Sequence, residues 1–308
     1  MSIFLAIQGA VSQGVLWGIM ALGVYITFRL LDIADLTVDG SFATGGAVCA
    51  VAITNGVSPL FSIVLALIAG IIAGWITGFL HTKCQIPAIL SGILTQIGLY
   101  SINLRIMGRS NLPLLQSDTL FKSFRELTGL NIQWTAIVIG VLFAVAVSGF
   151  LYWFFGTETG SAIRATGNNE NMARALGVNT NYMKLLGLML ANGLIAVSGA
   201  LVTQSQGYAD IKMGIGAIVI GLASIVIGEV IFQGKGNFFV RLSSIVVGSI
   251  IYRIIVAVVL QMGLSTDDLK LLTAALVAIA LTVPIMIDKN KQLSMYKKLT
   301  GKEADSNA

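Results

Sequence analysis

The stretch Trp134-Thr-Ala-Ile-Val-Ile-Gly-Val-Leu-Phe-Ala-Val-Ala-Val-Ser-Gly-Phe-Leu-Tyr-Trp-Phe-Phe155 runs for 22 residues without a charged side chain. An α-helix needs about 20 apolar residues to cross the hydrocarbon core of a bilayer. The stretch is apolar throughout, whereas a transmembrane strand would alternate apolar and polar residues. It therefore predicts a transmembrane helix.

Eight other stretches have a similar length and apolar character. We predict an all-α polytopic membrane protein with about nine transmembrane or re-entrant helices. These form a single transmembrane domain over residues 1–287, and residues 288–308 form a polar cytoplasmic tail. The nine segments are roughly 3–28, 38–54, 60–80, 85–104, 134–155, 185–205, 213–232, 242–262 and 271–287.

The segments 38–54 and 85–104 are more polar than the others. The first opens with Asp39 and several glycines, and the second contains Pro87 and Gln96. Polar residues at membrane depth are tolerated only where they face protein or a water-filled cavity. The two segments are therefore either broken or re-entrant helices beside a translocation path, or interior helices that pack through small residues.

The composition excludes several classes of protein. Hydrophobic residues make up 56% of the chain and charged residues 11%, whereas a soluble domain carries about 25% charged residues. The sequence has no GxxxxGK[ST] loop, so we expect no nucleotide site on this chain. His81, Cys49 and Cys84 lack metal-ligand spacing, and neither a histidine cluster nor paired carboxylates mark a membrane enzyme. We predict no catalytic residue, metal or cofactor.

The distribution of Lys and Arg predicts the orientation. With nine spans and the N-terminus outside, twelve basic residues lie inside, including Arg29, Lys83 and five in the tail, and six lie outside. Cytoplasmic loops carry an excess of Lys and Arg. We therefore predict an outside N-terminus and a cytoplasmic C-terminus.

The polar segment 157–184 predicts two short helices. Thr159 is expected to cap a turn over 161–165, which Gly167 ends in the left-handed conformation. Asn168 or Asn169 is expected to cap the second helix, with Glu170 in its first turn, where the helix dipole favours an anion.

The second of these helices covers 170–176 and ends at Gly177. Met172, Ala175 and Leu176 share one of its faces. A compact surface helix of this kind suits docking into a groove on a soluble partner. The alternative is a membrane-surface helix that only connects two spans.

Residues 164–178, Arg-Ala-Thr-Gly-Asn-Asn-Glu-Asn-Met-Ala-Arg-Ala-Leu-Gly-Val, resemble the cytoplasmic loop of permease subunits in bacterial ABC importers. The similar superfamily includes the branched-chain amino acid and ribose-type permeases, which commonly carry Pro where Glu170 stands. Residues 31–36 and 214–228 also resemble this superfamily, although Glu229 follows Gly228 where a Gly-Gly pair is common. The chain most resembles the tryptophan/tyrosine-type or uncharacterised amino-acid branch.

The resemblance implies a type II ABC importer-like permease in the bacterial cell membrane, acting as a homodimer or a pseudo-dimer. Separate ABC ATPase subunits would carry ATP and Mg, and an extracellular or periplasmic binding protein would deliver a small polar solute, an amino acid or related compound. Segment 157–184 would hold the coupling helix. The residues implied in ATPase coupling are Arg164, Gly167, Asn168, Asn169, Glu170, Met172, Ala173, Arg174, Ala175, Leu176 and Gly177.

Three ionisable residues fall within apolar segments, where a charge is costly and marks a pathway or a structural pair. Arg253 either lines a pore or pairs internally. Glu229 is within reach of Lys235 or Arg241. Asp39 pairs with Arg253 or Arg29, or is solvated at the interface.

Gly70, Gly74 and Gly78 form a GxxxGxxxG ridge on the third segment. Such a ridge allows two helices to approach closely. It serves either packing within this chain or a seam between two copies.

An ion-coupled secondary transporter is the alternative function. Such a protein binds its coupling ions at unwound helices near the midplane, which the Gly-rich segments would fit. It needs no ATPase and no docking helix.

Overall fold

The computed structural model describes residues 3–115, 117–232 and 237–262, together with positions 271, 273–275, 277–278 and 282. The predicted ninth segment at 271–287 lies mostly outside the described residues, and the predicted tail at 288–308 lies wholly outside them.

The described chain is a series of helices with one short strand pair. The elements are α1 (Ile3–Tyr25), a π-helical turn (Ile26–Leu30), α2 (Val38–Thr54), α3 (Pro59–Thr82), α4 (Ala88–Met107), β1 (Asn111–Pro113), α5 (Leu120–Thr128), α6 (Ile132–Phe155), α7 (Glu158–Asn168), α8 (Glu170–Ala175), α9 (Thr180–Gln206), β2 (Tyr208–Asp210), α10 (Ala217–Phe232) and α11 (Phe238–Gln261).

Eight of the nine predicted segments coincide with helices α1, α2, α3, α4, α6, α9, α10 and α11. Six helices are long and apolar enough to cross a membrane: α1 with its π-helical turn, α3, α4, α6, α9 and α11. Helices α2 and α10 are shorter, with 17 and 16 residues. The multi-pass helical architecture is confirmed, whereas a count of nine spans is not.

Helix α9 forms the centre of the bundle. It packs against α1, α2 and α3, and most of its side chains are buried. The ridge of Gly70, Gly74 and Gly78 on α3 faces α9, where a Cβ at Gly70 or Gly74 would collide with the backbone carbonyls of Asn192 and Leu188. The ridge therefore serves a close helix contact within this chain.

The two polar segments differ from each other in the structure. Helix α2 is short and buried on nearly all sides, and a non-helical stretch precedes it. Helix α4 is continuous from Ala88 to Met107, with Pro87 at its N-cap, so of the alternatives for this segment a broken helix does not apply. Proline has no backbone N–H, but the N–H groups at the start of a helix make no hydrogen bond within the helix. Pro87 can therefore stand at the start of α4 without interrupting it.

The polar segment between α4 and α6 contains structure that the sequence did not predict. Strand β1 pairs antiparallel with β2, with Asn111 opposite Asp210, so the fold is not purely helical. Thr119 caps the amphipathic helix α5 by accepting from the backbone N–H of Lys122 at 3.2 Å. The strand pair places the α4–α6 connection and the end of α9 on the same side of the molecule.

Candidate functional site

The stretch 31–37, between the π-helical turn and α2, reaches the middle of the bundle. Asp35 is buried there and accepts a hydrogen bond from Asn192 Nδ2 at 2.7 Å and one from the backbone N–H of Thr37 at 2.8 Å. Ser41 Oγ donates to Asn192 Oδ1 at 2.6 Å. Since Asn192 lies halfway along α9, this network fixes the stretch and the start of α2 at the centre of the fold.

Asp35 was not among the predicted site residues. It lies in a short interruption between two apolar segments, where a carboxylate would be expected to face water. The usable signal was Asn192, an amide in the middle of a long apolar segment that needs a polar partner.

Asp39 joins the start of α2 to the start of α10. Its carboxylate accepts hydrogen bonds from the backbone N–H of Gly216 at 2.9 Å and of Ile218 at 3.1 Å. Asp39 also lies in the first turn of α2, so two helix N-termini with their partial positive charges meet at one carboxylate. This differs from the expected pairing with Arg253 or Arg29 and from simple solvation.

A cavity of about 360 Å³ opens beside Asp39. Its walls are the first turns of α2, the middle of α4 and the stretch 211–215 before α10. The polar face of α4, which includes Gln96, therefore lies where two short helices begin. Polar side chains from α2 and α4, and isoleucines from the stretch before α10, come together only in the folded chain.

Glu229 forms its ion pair with the π-helical turn. Its Oε1 accepts from Arg29 Nε at 3.0 Å, and its Oε2 contacts Arg29 Nη2. The sequence predicted Lys235 or Arg241 as the partner, because they are near in sequence. Lys235 lies outside the described residues, and Arg29 reaches Glu229 because the end of α1 packs beside α10.

Arg253 lies where α11 packs on α1. Its guanidinium stacks over the Trp17 ring, 4.1 Å from the ring centroid. Within the described ranges it forms no ion pair with an acid, so a cation–π contact takes the place of the expected pair. Arg253 lies apart from the cavity beside Asp39.

Helix α7 begins and ends differently from the prediction. Thr157, two residues before the predicted Thr159, caps it by accepting from the backbone N–H of Gly160 at 3.3 Å. Gly167 is helical and does not end α7, which continues to Asn168. It lies against the carbonyl of Leu30, where a Cβ would have no room. The predicted left-handed termination at Gly167 was therefore wrong.

Helix α8 follows the prediction closely. Asn169 caps it by accepting from the backbone N–H of Met172 at 3.0 Å. Gly177 follows with φ +85°, a left-handed conformation that suits glycine and terminates the helix. Ala173, on the inner side of α8, is buried, whereas Met172 is 50% exposed and Leu176 is 74% exposed. The helix thus presents apolar side chains outward.

Glu170 fastens α8 to the start of α9. Its carboxylate accepts from Arg174 Nη2 at 2.7 Å, Lys184 Nζ at 2.7 Å and Thr180 Oγ1 at 3.2 Å. A hydrogen bond from Lys184 is the largest of the effects that hold the pKa of Glu170 below its ordinary value. The short helix is therefore clamped to a long one by charge-assisted hydrogen bonds.

Arg164 and Asn168 belong to α7 and not to the exposed face of α8. The Arg164 guanidinium lies over the ring of Phe238, 5.2 Å from its centroid, which joins α7 to the start of α11. The structure brings together the residues of α7 and α8 in one compact unit, while Asp39, Glu229 and Arg253 lie at three separate places in the bundle.

Residues 6–282 match the family described as "Branched-chain amino acid transport system / permease component". This chain belongs to that family. It is a permease component of an ABC-type transporter and a multi-pass membrane protein.

Two relatives show where the permease stands in the family. It is 41% identical to the tyrosine transport system permease protein of Clostridioides difficile (strain R20291) over 271 residues, 88% of each chain. It is 26% identical to the ribose import permease protein RbsC of Escherichia coli (strain K12) over 222 residues, 71% of the permease and 68% of RbsC. The predicted resemblance to the superfamily and its tyrosine-type branch is confirmed.

One solved structure shares the fold. PsaBC from Streptococcus pneumoniae in complex with Fab matches the permease with a TM-score of 0.50 at 17% identity, covering 89% of the permease and 90% of that chain. This similarity concerns the arrangement of helices alone.

The depressed pKa of Glu170 gives the permease a pH-dependent element of stability. The ionised carboxylate is favoured in the fold, so its stabilisation is present above the ordinary Glu pKa of about 4.3 and is lost as the pH falls through the lower folded value. We expect the wild type to melt at a higher temperature than Glu170→Gln at pH 7, with the difference shrinking below about pH 4. Thermal unfolding of both proteins from pH 7 to pH 3 measures this. A difference that stays constant with pH would contradict it.

Proposed function

We propose that this chain is the transmembrane subunit of an ATP-driven importer, coupled through α7 and α8 to separate ATPase subunits. Two copies form the conduit, and an extracellular binding protein delivers the solute. The unit of α7 and α8 is the coupling element, with Met172 and Leu176 as its docking face.

The exposure of Met172 and Leu176 on a clamped helix is the observation that carries this proposal. Apolar side chains that point away from the bundle, on a helix held rigidly by Glu170, suit insertion into a groove on a soluble partner. A flexible connector between two spans would not need two charge-assisted hydrogen bonds, from Thr180 and Lys184 of α9 to Glu170, to fix its position.

Contacts from α7 lead to the centre of the bundle. Gly167 lies against Leu30 at the end of the π-helical turn, and the stretch that follows carries Asp35. This stretch leads to Asp39 in the first turn of α2, which accepts hydrogen bonds from the start of α10. From the far end of α10, Glu229 returns to Arg29 in the π-helical turn. A displacement of α7 by the ATPase would therefore reach both short helices, the elements best suited to rearrange between inward and outward states.

We propose an amino acid as the solute. The relative that is 41% identical is named as a tyrosine transport permease, and the ribose permease is more distant at 26%. An aromatic or similar amino acid is therefore the substrate class we would test first.

Uptake by the reconstituted system tests the function. Proteoliposomes with this chain, its ATPase subunits and its binding protein should accumulate L-tyrosine against a gradient only with ATP. A partner ATPase that binds but does not hydrolyse ATP is the control. Uphill uptake driven by an ion gradient, with no ATPase present, would establish the secondary transporter instead.

The orientation gives a separate prediction. In a Cys84→Ser background, Asn171→Cys on α8 should react with an impermeant maleimide only from the cytoplasm. Leu115→Cys, at a position 87% exposed in the α4–α6 connection, should react only from outside. Labelling of intact cells and of inverted vesicles measures both sites. The opposite pattern would invert the proposed topology.

A further inference from the structure

The cavity beside Asp39 has the size and lining of a small-molecule site. Its volume of about 360 Å³ lies within the range of ligand pockets, roughly 300–1,000 Å³. Ile97, Ile211 and Ile215 form its apolar part, while Gln96 and Tyr100 contribute polar groups. A mostly apolar cavity with a few polar groups is the usual setting for an amphiphilic ligand.

The acidic side chain in the cavity lining determines which charged group a ligand can place there. Asp39 is the one ionisable acid in its described lining, and no Lys or Arg lines it. The carboxylate is partly exposed and uses two of its roughly four acceptor positions on α10, so acceptor positions remain for a donor in the cavity. A cationic donor such as an ammonium group fits this position, and an isolated anion does not.

Asn103 gives the second, independent observation. It lines the cavity and is 1% exposed, yet both its Oδ1 and its Nδ2 lack a hydrogen-bond partner among the described residues. A buried amide without partners is costly and in a native protein points to a missing ligand or water. A polar group on a bound molecule would supply the missing bonds.

The spacing along α4 sets the length of that molecule. Gln96 lies beside Gly40, the neighbour of Asp39, and Asn103 is seven residues further along the helix. At 1.5 Å per residue the two amides are separated by roughly 10 Å. A ligand that meets Asp39 with its ammonium group and Asn103 with its far end is therefore elongated, with polar groups at both ends.

We propose that this cavity binds the solute in transit, and that it selects an α-amino acid with a hydrogen-bonding group at the end of its side chain. The ammonium group lies at Asp39, the carboxylate accepts from Gln96, and the side-chain end bonds to Asn103 between the isoleucines. This inference rests on the proposed function of the chain as an amino-acid permease.

Protection of a cysteine in the cavity wall tests the site on the full chain in nanodiscs. Ser101→Cys places a thiol in the lining, and the native Cys84, which is exposed outside the cavity, is an internal control. L-Tyrosine at roughly three times its Kd should slow labelling of Ser101→Cys about fourfold and leave Cys84 unchanged. Tyramine should protect as well, and 3-(4-hydroxyphenyl)propanoate, which lacks the ammonium group, should not.

Two variants separate ligand binding from structure. Asp39→Asn keeps an oxygen that can cap α10 but removes the charge, and it should abolish protection by L-tyrosine. Asn103→Leu removes the unpartnered amide, so it should raise the melting temperature. It should also reverse the ligand preference. In the wild type, L-phenylalanine should protect about tenfold more weakly than L-tyrosine, whereas in Asn103→Leu it should protect more strongly than L-tyrosine.

The outcomes are distinct. Equal protection by the ligand without an ammonium group, or an unchanged preference in Asn103→Leu, would overturn the site. If none of these compounds protects Ser101→Cys, but the complete complex imports L-tyrosine, the site is overturned and the proposed function is left intact. A complete complex that imports no amino acid with ATP would overturn the proposed function itself.

Discussion

Replacing Gly167 by alanine is expected to reduce ATP-driven uptake by about tenfold or more, while the protein still inserts in the membrane. The added Cβ would meet the backbone carbonyl of Leu30, which cannot move aside by changing a rotamer. Alanine gains about 1 kcal/mol over glycine in a helix, but overpacking costs about 1–3 kcal/mol. Helix α7 must therefore move away from the π-helical turn, and the contact that would carry its motion is lost.

Gly149→Ala is the matched control for this prediction. Gly149 is also a helical glycine, in α6, but among the described residues no atom from outside its own turns of helix lies within 4 Å of the position its Cβ would take. This variant should keep full uptake and a melting temperature at or slightly above that of the wild type. Uptake in proteoliposomes and the amount of folded protein are measured for both. Wild-type uptake by Gly167→Ala would show that the contact with Leu30 carries no coupling.

Placing an acid at Met172 or Leu176 is expected to weaken ATPase binding by about 30-fold or more for each substitution. A central apolar contact in an interface contributes about 2 kcal/mol or more, and every 1.4 kcal/mol changes affinity tenfold. Both side chains are already exposed in the isolated chain, so an acid there does not disturb its own packing. Pull-down of the ATPase and titration of its stimulated hydrolysis measure the effect.

Leu127→Asp is the control for the docking face. Leu127 on α5 is 85% exposed, and its helix follows the strand pair on the other side of the proposed membrane. This change adds the same charge to an exposed apolar position and should leave ATPase binding unchanged. If Met172→Asp binds the ATPase normally, or if Leu127→Asp loses as much ATPase binding, then α8 is not the docking face.

The contribution of the sequence is clearest in α8. Asn169, Glu170 and Gly177 are local signals, because a cap, a first-turn acid and a left-handed glycine act within a few residues of one another. The prediction therefore placed the helix and its exposed apolar face correctly. Gly167 looked like the same kind of signal and was misread, because a glycine needed for close approach to Leu30 cannot be told from a terminating glycine in one sequence.

The pairings of the intramembrane charges show the limit of sequence reasoning. Glu229 was compared only with basic residues that follow it in the chain, yet it forms an ion pair with Arg29, 200 positions earlier. Asp39 was compared with possible cationic partners, yet it meets backbone N–H groups at the start of α10. Backbone donors at a helix start carry no residue-type signal, so such a partner is invisible in the sequence.

The amino-acid sequence alone determined that this chain crosses a membrane, that it belongs with permeases and that a capped helix stands at 170–176, because apolar length, family motifs and helix caps are properties of contiguous residues. Only the tertiary structure decided where α10 begins, what Asp39, Glu229 and Arg253 contact, and that a cavity with an unpartnered amide lies beside Asp39. These features depend on packing between helices far apart in the chain, where the energy comes from burial and hydrogen bonding between segments.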